Sequence, residues 1–236
     1  MTPLTNDRIG GAYLIRIDDG AVNALTLDMI DGLIAVVTAA PADAALVIAG
    51  RPGCLTAGLD RAAMLSGDRA AVSRRLRQVT ALYDAVMRYP GPVVVACTGH
   101  AVAAGALLLL VADYRVGARV PSKIGFNEAG VGLPLGPLAV AAARARLDPR
   151  ALWRATVGGV VYDADGALAV GYLDEIADAD EVVNTAVARA QSLSGLNRTA
   201  YLRTRELFWA PVHAEVSIAV ARRRAARSDQ LSSETT

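Results

Sequence analysis

Hydrophobic residues along this chain form short β-branched runs that alternate with longer stretches of helical spacing. The runs predict strands at residues 12–17, 44–49, 93–97, 114–118 and 173–176. The helical spacing predicts helices at residues 27–39, 69–88, 103–112, 138–147, 151–156, 180–193, 199–208 and 212–227. This order indicates an α/β core over residues 1–178, a C-terminal helical region over residues 179–227 and a frayed tail over residues 228–236.

The most apolar segment, residues 93–112, contains no charged residue apart from a protonatable histidine, His100. A segment of this length is enough to cross a bilayer as one helix. However, the β-branched run at residues 93–97 is followed by Thr98-Gly99-His100, which indicates a buried strand and then a break. Neither a cluster of basic residues nor an aromatic belt flanks the segment. The pattern therefore favours a buried strand and a buried helix over a membrane span.

Composition is typical of a globular protein of enzyme size. The 236 residues are 53% hydrophobic and carry a net charge of +1, which gives no electrostatic basis for nucleic-acid binding. Cys54 and Cys97 lack motif spacing, and His100 and His213 form no ligand cluster, so we expect reduced thiols and no metal site. No signal peptide is recognisable at the N-terminus, which favours a cytoplasmic location.

Several common catalytic motifs are missing. Residues 130–136 superficially resemble a dinucleotide-binding fingerprint, but the spacing is one residue too long and a proline interrupts it. The chain has no phosphate-binding P-loop and no Gly-x-Ser-x-Gly nucleophile elbow. These absences argue against acyl-enzyme hydrolysis through a serine.

Two glycine-rich turns, residues 55–60 and 99–105, each precede a predicted helix. The N–H groups at the start of a helix lack intrahelical partners and lie at the positive end of the helix dipole. Two such turns that face each other would form an oxyanion hole from backbone atoms alone. The alternative is that small residues here only allow tight packing.

Glu128 is the candidate catalytic acid or base, because it follows the apolar segment in a further apolar, glycine-rich context. Burial of this carboxylate would raise its pKa and make it a stronger base. The alternative is a structural ion pair with an arginine such as Arg115 or Arg119.

Five segments in order resemble the crotonase superfamily, the enoyl-CoA hydratases and isomerases. They are Asn23-Ala24-Leu25, Thr56-Ala57-Gly58-Leu59-Asp60, residues 92–113, Ile124-Gly125-Phe126-Asn127-Glu128, and residues 164–174. The resemblance covers nearly the whole chain. It implies a spiral of repeated strand-strand-helix turns with a C-terminal helical subdomain, assembled as trimers or as hexamers of two trimers.

The resemblance also implies roles for individual residues. Leu59 and Ala104 would donate backbone N–H groups to the thioester oxygen of an acyl-CoA substrate, and Glu128 would transfer the proton. The remaining residues implied in substrate binding are Ala57, Gly58, Asp60, Arg61 and Gly105. Arg51 and Arg61 are candidates to meet the phosphates of coenzyme A, which belongs to the substrate, so no separate cofactor is expected.

One departure from the family pattern bears on the reaction. A typical hydratase has two glutamates, and the first of these positions is occupied here by Leu107. Hydration needs one group for water and another for the α-carbon proton, whereas a single acid can move a proton between two carbons. The sequence therefore favours a Δ3,Δ2-enoyl-CoA isomerase. The alternatives are another crotonase reaction, hydration or dienoyl-CoA isomerisation, and a non-catalytic acyl-CoA binding paralogue.

Overall fold

The computed structural model describes residues 3–233, with side chains described through residue 222. Within these residues the strands are β1 Leu4–Ile9, β2 Ala12–Ile17, β3 Ala45–Gly50, β4 Gly53–Thr56, β5 Val93–Cys97, β6 Gly99–Val102, β7 Tyr114–Ala118, β8 Ile124–Gly125 and β9 Glu175–Ala177. The helices are α1 Leu27–Ala39, α2 Arg61–Met64, α3 Arg69–Arg88, α4 Ala104–Val111, α5 Pro137–Arg146, α6 Leu152–Ala155, α7 Ala164–Val170, α8 Val182–Ser194 and α9 Arg198–Ser233.

The strands form two sheets, and from β3 onward the chain alternates between them. The larger sheet has the order β1-β2-β3-β5-β7-β9, in which only the β1–β2 pair is antiparallel. The smaller sheet has the order β4-β6-β8 and is parallel throughout. From β3 onward, each repeat places its first strand in the larger sheet and its second strand in the smaller one. This arrangement confirms the predicted α/β spiral of strand-strand-helix turns.

The central strands β3 and β5 of the larger sheet are buried on both faces. Successive side chains of a strand point to opposite faces, and on β3 Ile48 packs into the main core while Val47 packs beneath α8. The main core also holds α1, α3 and α4, whose buried faces cover that side of the sheet. Burial on both faces explains why β3 and β5 have nearly continuous apolar sequences instead of an alternating pattern.

Four strands, β1, β4, β6 and the two-residue β8, were not predicted, and one predicted strand is displaced. Residues 53–56 and 99–102, predicted as parts of turns, are strands β4 and β6, because each pairs with its neighbour in the smaller sheet. β1 was not predicted; it lies at the edge of the larger sheet and is largely exposed, so its apolar pattern is weak. The predicted strand at residues 173–176 is displaced to β9, Glu175–Ala177.

The two predicted C-terminal helices, residues 199–208 and 212–227, are a single helix, α9, which contains Pro211. Proline removes one backbone donor from a helix, but its fixed φ is helical. Trp209 and Val212, on either side of Pro211, are buried against the main core and hold this segment in place. The backbone of α9 reaches Ser233, and the last three residues of the predicted frayed tail lie outside the described residues.

The apolar segment of residues 93–112 is divided among β5, β6 and α4. All eight residues of α4 are buried, which explains why its sequence lacks a polar face. Across residues 3–233, no helix is both long enough and apolar enough to cross a membrane.

Asn23 joins the two sheets near the end of β2. Its side chain is fully buried and donates to the carbonyl oxygens of Ile17 at 2.9 Å, Leu55 at 3.1 Å and Cys54 at 3.2 Å. Its Oδ1 accepts from the N–H of Asp19 at 2.9 Å. Its φ of +53° lies in the left-handed region, which asparagine tolerates better than most residues.

We expect the substitution Asn23→Ala to lower the free energy of unfolding by about 2–4 kcal/mol, because it leaves several buried backbone groups without partners. The measurement is urea denaturation monitored by circular dichroism. Asn184→Ala, which removes an exposed amide on α8, is the control and should change stability by less than about 0.5 kcal/mol. An equal, small effect for both variants would contradict this role of Asn23.

Candidate active site

The two glycine-rich turns predicted from the sequence pack against each other, backbone to backbone. A Cβ atom added to Gly58 would lie 2.9 Å from the carbonyl oxygen of Val102 and 3.3 Å from the nitrogen of Ala104. A Cβ atom added to Gly105 would lie 2.8 Å from Cγ2 of Thr56. Parallel pairing of β4 with β6 brings the two turns together. Glycine at 58 and 105 is therefore required by the close approach of two backbones.

Hydrogen bonds from the Asn23 segment fix the first turn. The hydroxyl of Thr56 donates to the carbonyl oxygen of Asn23 at 2.6 Å and accepts from the N–H of Gly58 at 3.0 Å. Leu25 N–H donates to the carbonyl oxygen of Gly58 at 2.8 Å, and Ala57 N–H donates to that of Val22 at 2.9 Å. Gly58 has a φ of +84°, which turns the chain immediately before Leu59.

In the second turn, the residue immediately before α4 has a strained backbone conformation. Ala103 has a φ of +53°, and α4 has no side-chain hydrogen bond at its N-cap. The Ala103 N–H donates to the carbonyl oxygen of Gly125 at 3.0 Å, which ties this turn to β8. Within the described part of the chain, no protein group accepts a hydrogen bond from the N–H of Leu59 or Ala104. Neither N–H group is therefore used by the described part of the protein itself.

Glu128 lies three residues beyond Gly125, at the start of a single 3₁₀ turn, Ala129–Val131. Burial raises the pKa of its carboxyl group above 4.5, and hydrogen bonds from its own N–H and that of Asn127 offset only part of this rise. Its Oε2 atom is buried and has no hydrogen-bond partner among the described residues. Glu128 thus has the environment expected of a general base.

Buried apolar and aromatic side chains surround this part of the site. Leu107, the position of a hydratase's first glutamate, is 8% exposed on α4. Tyr83 and Tyr172 are fully buried or nearly so, and the pKa of each is raised chiefly by burial and further by the negative charge of Glu128.

Neither arginine named in the structural alternative pairs with Glu128, because each has another partner. Arg115 is buried and pairs with Asp174 at 2.6 Å, and Arg119 lies 3.4 Å from Asp165 at the surface. The candidate base is thus free of an ion pair with either arginine.

The remaining predicted site residues lie near the first turn or on it. Asp60 caps α2 by accepting from the N–H groups of Ala62 and Ala63, as expected for an aspartate at this position. Arg61 follows it and is exposed. Arg51 donates to the carbonyl oxygen of Ala21 at 2.6 Å and lies 3.4 Å from Asp18. Arg51 thus has a hydrogen-bond acceptor and an ion-pair partner nearby, whereas Arg61 is exposed at the surface.

Two residues that support the turns were not identified from the sequence. They are Tyr83, and Thr56 in its role as a hydrogen-bonding residue. Thr56 lies within a segment used for the family resemblance, but its hydroxyl contacts depend on the tertiary fold. Tyr83 occupies one of many core positions on the amphipathic helix α3, and its helical spacing gives no signal of a site.

The comparisons with known proteins agree with this geometry. The family model described as enoyl-CoA hydratase/isomerase matches residues 8–235. A curated relative, the probable enoyl-CoA hydratase EchA17 of Mycobacterium tuberculosis, is 37% identical over 152 residues. That match covers 63% of this chain and 56% of the relative, so it spans little more than half the relative's length.

Solved structures match almost the whole chain. An enoyl-CoA hydratase/isomerase family protein from Pseudomonas syringae is 31% identical with a TM-score of 0.88, and the match covers 94% of this chain and 97% of that one. A Mycobacterium tuberculosis protein described as an enoyl-CoA isomerase in one structure and as a probable enoyl-CoA hydratase in another is 33% identical. In the first of these structures the TM-score is 0.86, and the match covers 93% of this chain and 96% of that one. The contacting turns, the spiral of paired strands and the family match over residues 8–235 together show that the chain belongs to the enoyl-CoA hydratase/isomerase family.

Proposed function

We propose that the protein is a Δ3,Δ2-enoyl-CoA isomerase, which moves the double bond of a 3-enoyl-CoA to give the 2-trans-enoyl-CoA. The observation that carries this proposal is the partly buried carboxylate of Glu128, whose Oε2 atom has no protein partner among the described residues. It lies three residues beyond Gly125, which is bonded to the second turn, and Leu107 occupies the position of a second acid. A Mycobacterium tuberculosis protein that matches almost the whole chain is described both as an enoyl-CoA isomerase and as a probable enoyl-CoA hydratase, which is compatible with this reaction and with hydration alike.

In the proposed reaction, the carboxylate of Glu128 removes a proton from C2 of the substrate. The electrons of that C–H bond form an enolate, which places negative charge on the thioester oxygen. The N–H groups of Leu59 and Ala104 bind this oxygen, and the loss of one such donor typically costs about 2.7–4 kcal/mol of transition-state stabilisation. The protonated Glu128 then returns the proton to C4 as the double bond shifts to C2–C3. The proton taken is the proton returned, so the reaction needs no water and no separate cofactor.

The side chain of Leu107 is the reason to prefer isomerisation over hydration. Addition of water requires a group that activates water in addition to the group that handles the carbon-bound proton. An isobutyl group neither accepts nor donates a proton. The relatives described as probable enoyl-CoA hydratases favour hydration as the second candidate function. A third candidate, acyl-CoA binding without turnover, would keep both turns and make no use of Glu128.

A groove lined chiefly by apolar side chains lies beside the 3₁₀ turn that follows Glu128. Its volume is about 460 Å³, and Ala129 and Leu133 are among its lining residues, whereas Glu128, Leu59 and Ala104 are not. Assembly as a trimer or hexamer and a cytoplasmic location belong to the same proposal.

We expect Glu128→Gln to lower kcat for 3-enoyl-CoA isomerisation by at least about 100-fold, because the amide cannot accept the C2 proton. The measurement follows conversion of a short and a long 3-enoyl-CoA, with hydration of 2-enoyl-CoA assayed in parallel. Glu181→Gln, the same change at the exposed start of α8, should leave kcat unchanged. Unchanged turnover in Glu128→Gln would overturn the isomerase proposal, and water addition as the faster reaction would establish hydration.

Glu128→Gln should not destabilise the protein, so a loss of activity in this variant would not result from unfolding. A carboxyl group whose pKa is raised by folding stabilises the fold below its unfolded pKa, and this contribution disappears as the pH rises through the folded pKa. At pH 7 the buried charge of Glu128 is therefore a cost, which the neutral glutamine removes. Glu128→Gln should melt at the same temperature as the native protein or higher at pH 7, as measured by calorimetry.

The raised pKa of Glu128 also sets the pH dependence of the reaction. We expect kcat/KM to fall on the acid side as Glu128 becomes protonated, with the midpoint above 4.5. The profile is measured over the pH range in which the circular dichroism spectrum is constant. A flat profile down to pH 4.5 would show that Glu128 is not the base.

Leu107→Glu should introduce hydration of 2-enoyl-CoA at a rate above that of the native protein, because it restores a second acid on α4. Burial of a new carboxyl group should also lower stability by about 1–3 kcal/mol. Leu107→Gln is the matched control, since it adds a similar polar group that cannot act as a base. Equal hydration by both variants would contradict the role assigned to Leu107.

A further inference from the structure

Tyr83, on α3, is a buried tyrosine with a hydroxyl that contacts the backbone of the candidate site. Its side chain is 1% exposed, and its hydroxyl donates to the carbonyl oxygen of Ala104 at 2.6 Å. A tyrosine hydroxyl that is buried usually has a hydrogen-bond partner. Here that partner belongs to the residue that carries one of the two free N–H groups.

Apart from its steric contact with the first turn and the backbone bonds of the helix itself, the start of α4 has few other constraints. The helix lacks a side-chain N-cap, and the φ of +53° at Ala103 is a strained conformation for a residue with a Cβ atom. Backbone bonds from Ala103 N–H to Gly125 and from Leu107 N–H to Ala103 hold one side of the turn. Among the side chains described through residue 222, only that of Tyr83 forms a hydrogen bond with residues 103–106.

We infer that Tyr83 is a positioning residue, which fixes the orientation of the Ala104 N–H toward the thioester oxygen by holding the adjacent carbonyl group. The peptide plane before Ala104 carries the N–H, and the plane after it carries the carbonyl that Tyr83 binds. When the second plane is held, rotation about the backbone bonds of Ala104 is restricted. A donor that is fixed before the charge develops stabilises that charge without reorganisation. This inference rests on the proposed oxyanion role of Ala104.

Tyr83→Phe removes only the hydroxyl oxygen and keeps the buried ring. We expect kcat to fall by about tenfold with KM changed by less than about twofold, because the bond orients a transition-state donor. The matched control is Tyr89→Phe. Tyr89 follows the same helix, is 3% exposed, and donates its hydroxyl to the carbonyl oxygens of Pro41 at 2.7 Å and Ala44 at 3.1 Å. Both variants should lose similar thermal stability, and only Tyr83→Phe should lose kcat.

A spectroscopic measurement separates this inference from the proposed reaction. A chromophoric aryl-enoyl-CoA absorbs at longer wavelength when its thioester oxygen is polarised by hydrogen bonds. Binding to the native protein and to Tyr89→Phe should give the same red shift, and binding to Tyr83→Phe a smaller one.

A full red shift and full kcat in Tyr83→Phe would overturn the positioning role. The absence of a red shift in the native protein would overturn both the oxyanion site and the inference that depends on it. A red shift that Tyr83→Phe diminishes, in a protein that does not isomerise 3-enoyl-CoA, would reject the isomerase function and support the role of Tyr83.

Discussion

The candidate site depends on one steric constraint, the direct contact between the turn at Gly58 and the turn at Ala104 and Gly105. The two backbones approach so closely that a single methyl group at Gly58 or Gly105 would meet atoms of the opposite turn within 3 Å. This contact places two N–H groups without protein acceptors on adjacent turns. Parallel pairing in the smaller sheet maintains it, because β4 and β6 are neighbouring strands that lead into the two turns.

The surrounding structure holds this contact by hydrogen bonds rather than by ion pairs. Asn23 and Thr56 bind the first turn through backbone carbonyls and N–H groups, and Tyr83 binds the second through the Ala104 carbonyl. Neutral, buried hydrogen bonds are directional and do not bring an additional charge near Glu128. Glu128 therefore remains a carboxylate whose pKa is governed by burial, and this suits a base that must accept a carbon-bound proton.

Much of the fold was predictable, because the first strand of each repeat lies in the interior of the larger sheet and has a strong apolar sequence. The second strands, β4 and β6, were predicted as turns because they are four residues long and contain small residues. Their strand character comes from pairing with each other. The sequence pattern also did not predict that α9 continues through Pro211. Proline usually breaks a helix, but here the burial of Trp209 and Val212 outweighs that local preference.

Residue type and order identify the candidate groups: one glutamate at residue 128, a leucine at residue 107 and two turns rich in small residues. A family resemblance uses these features directly. The folded structure is needed to show that the two turns touch, that Arg115 and Arg119 pair elsewhere, and that Tyr83 binds the carbonyl of Ala104. Such contacts join residues that are distant in the chain, and no local pattern of apolar and polar positions encodes them.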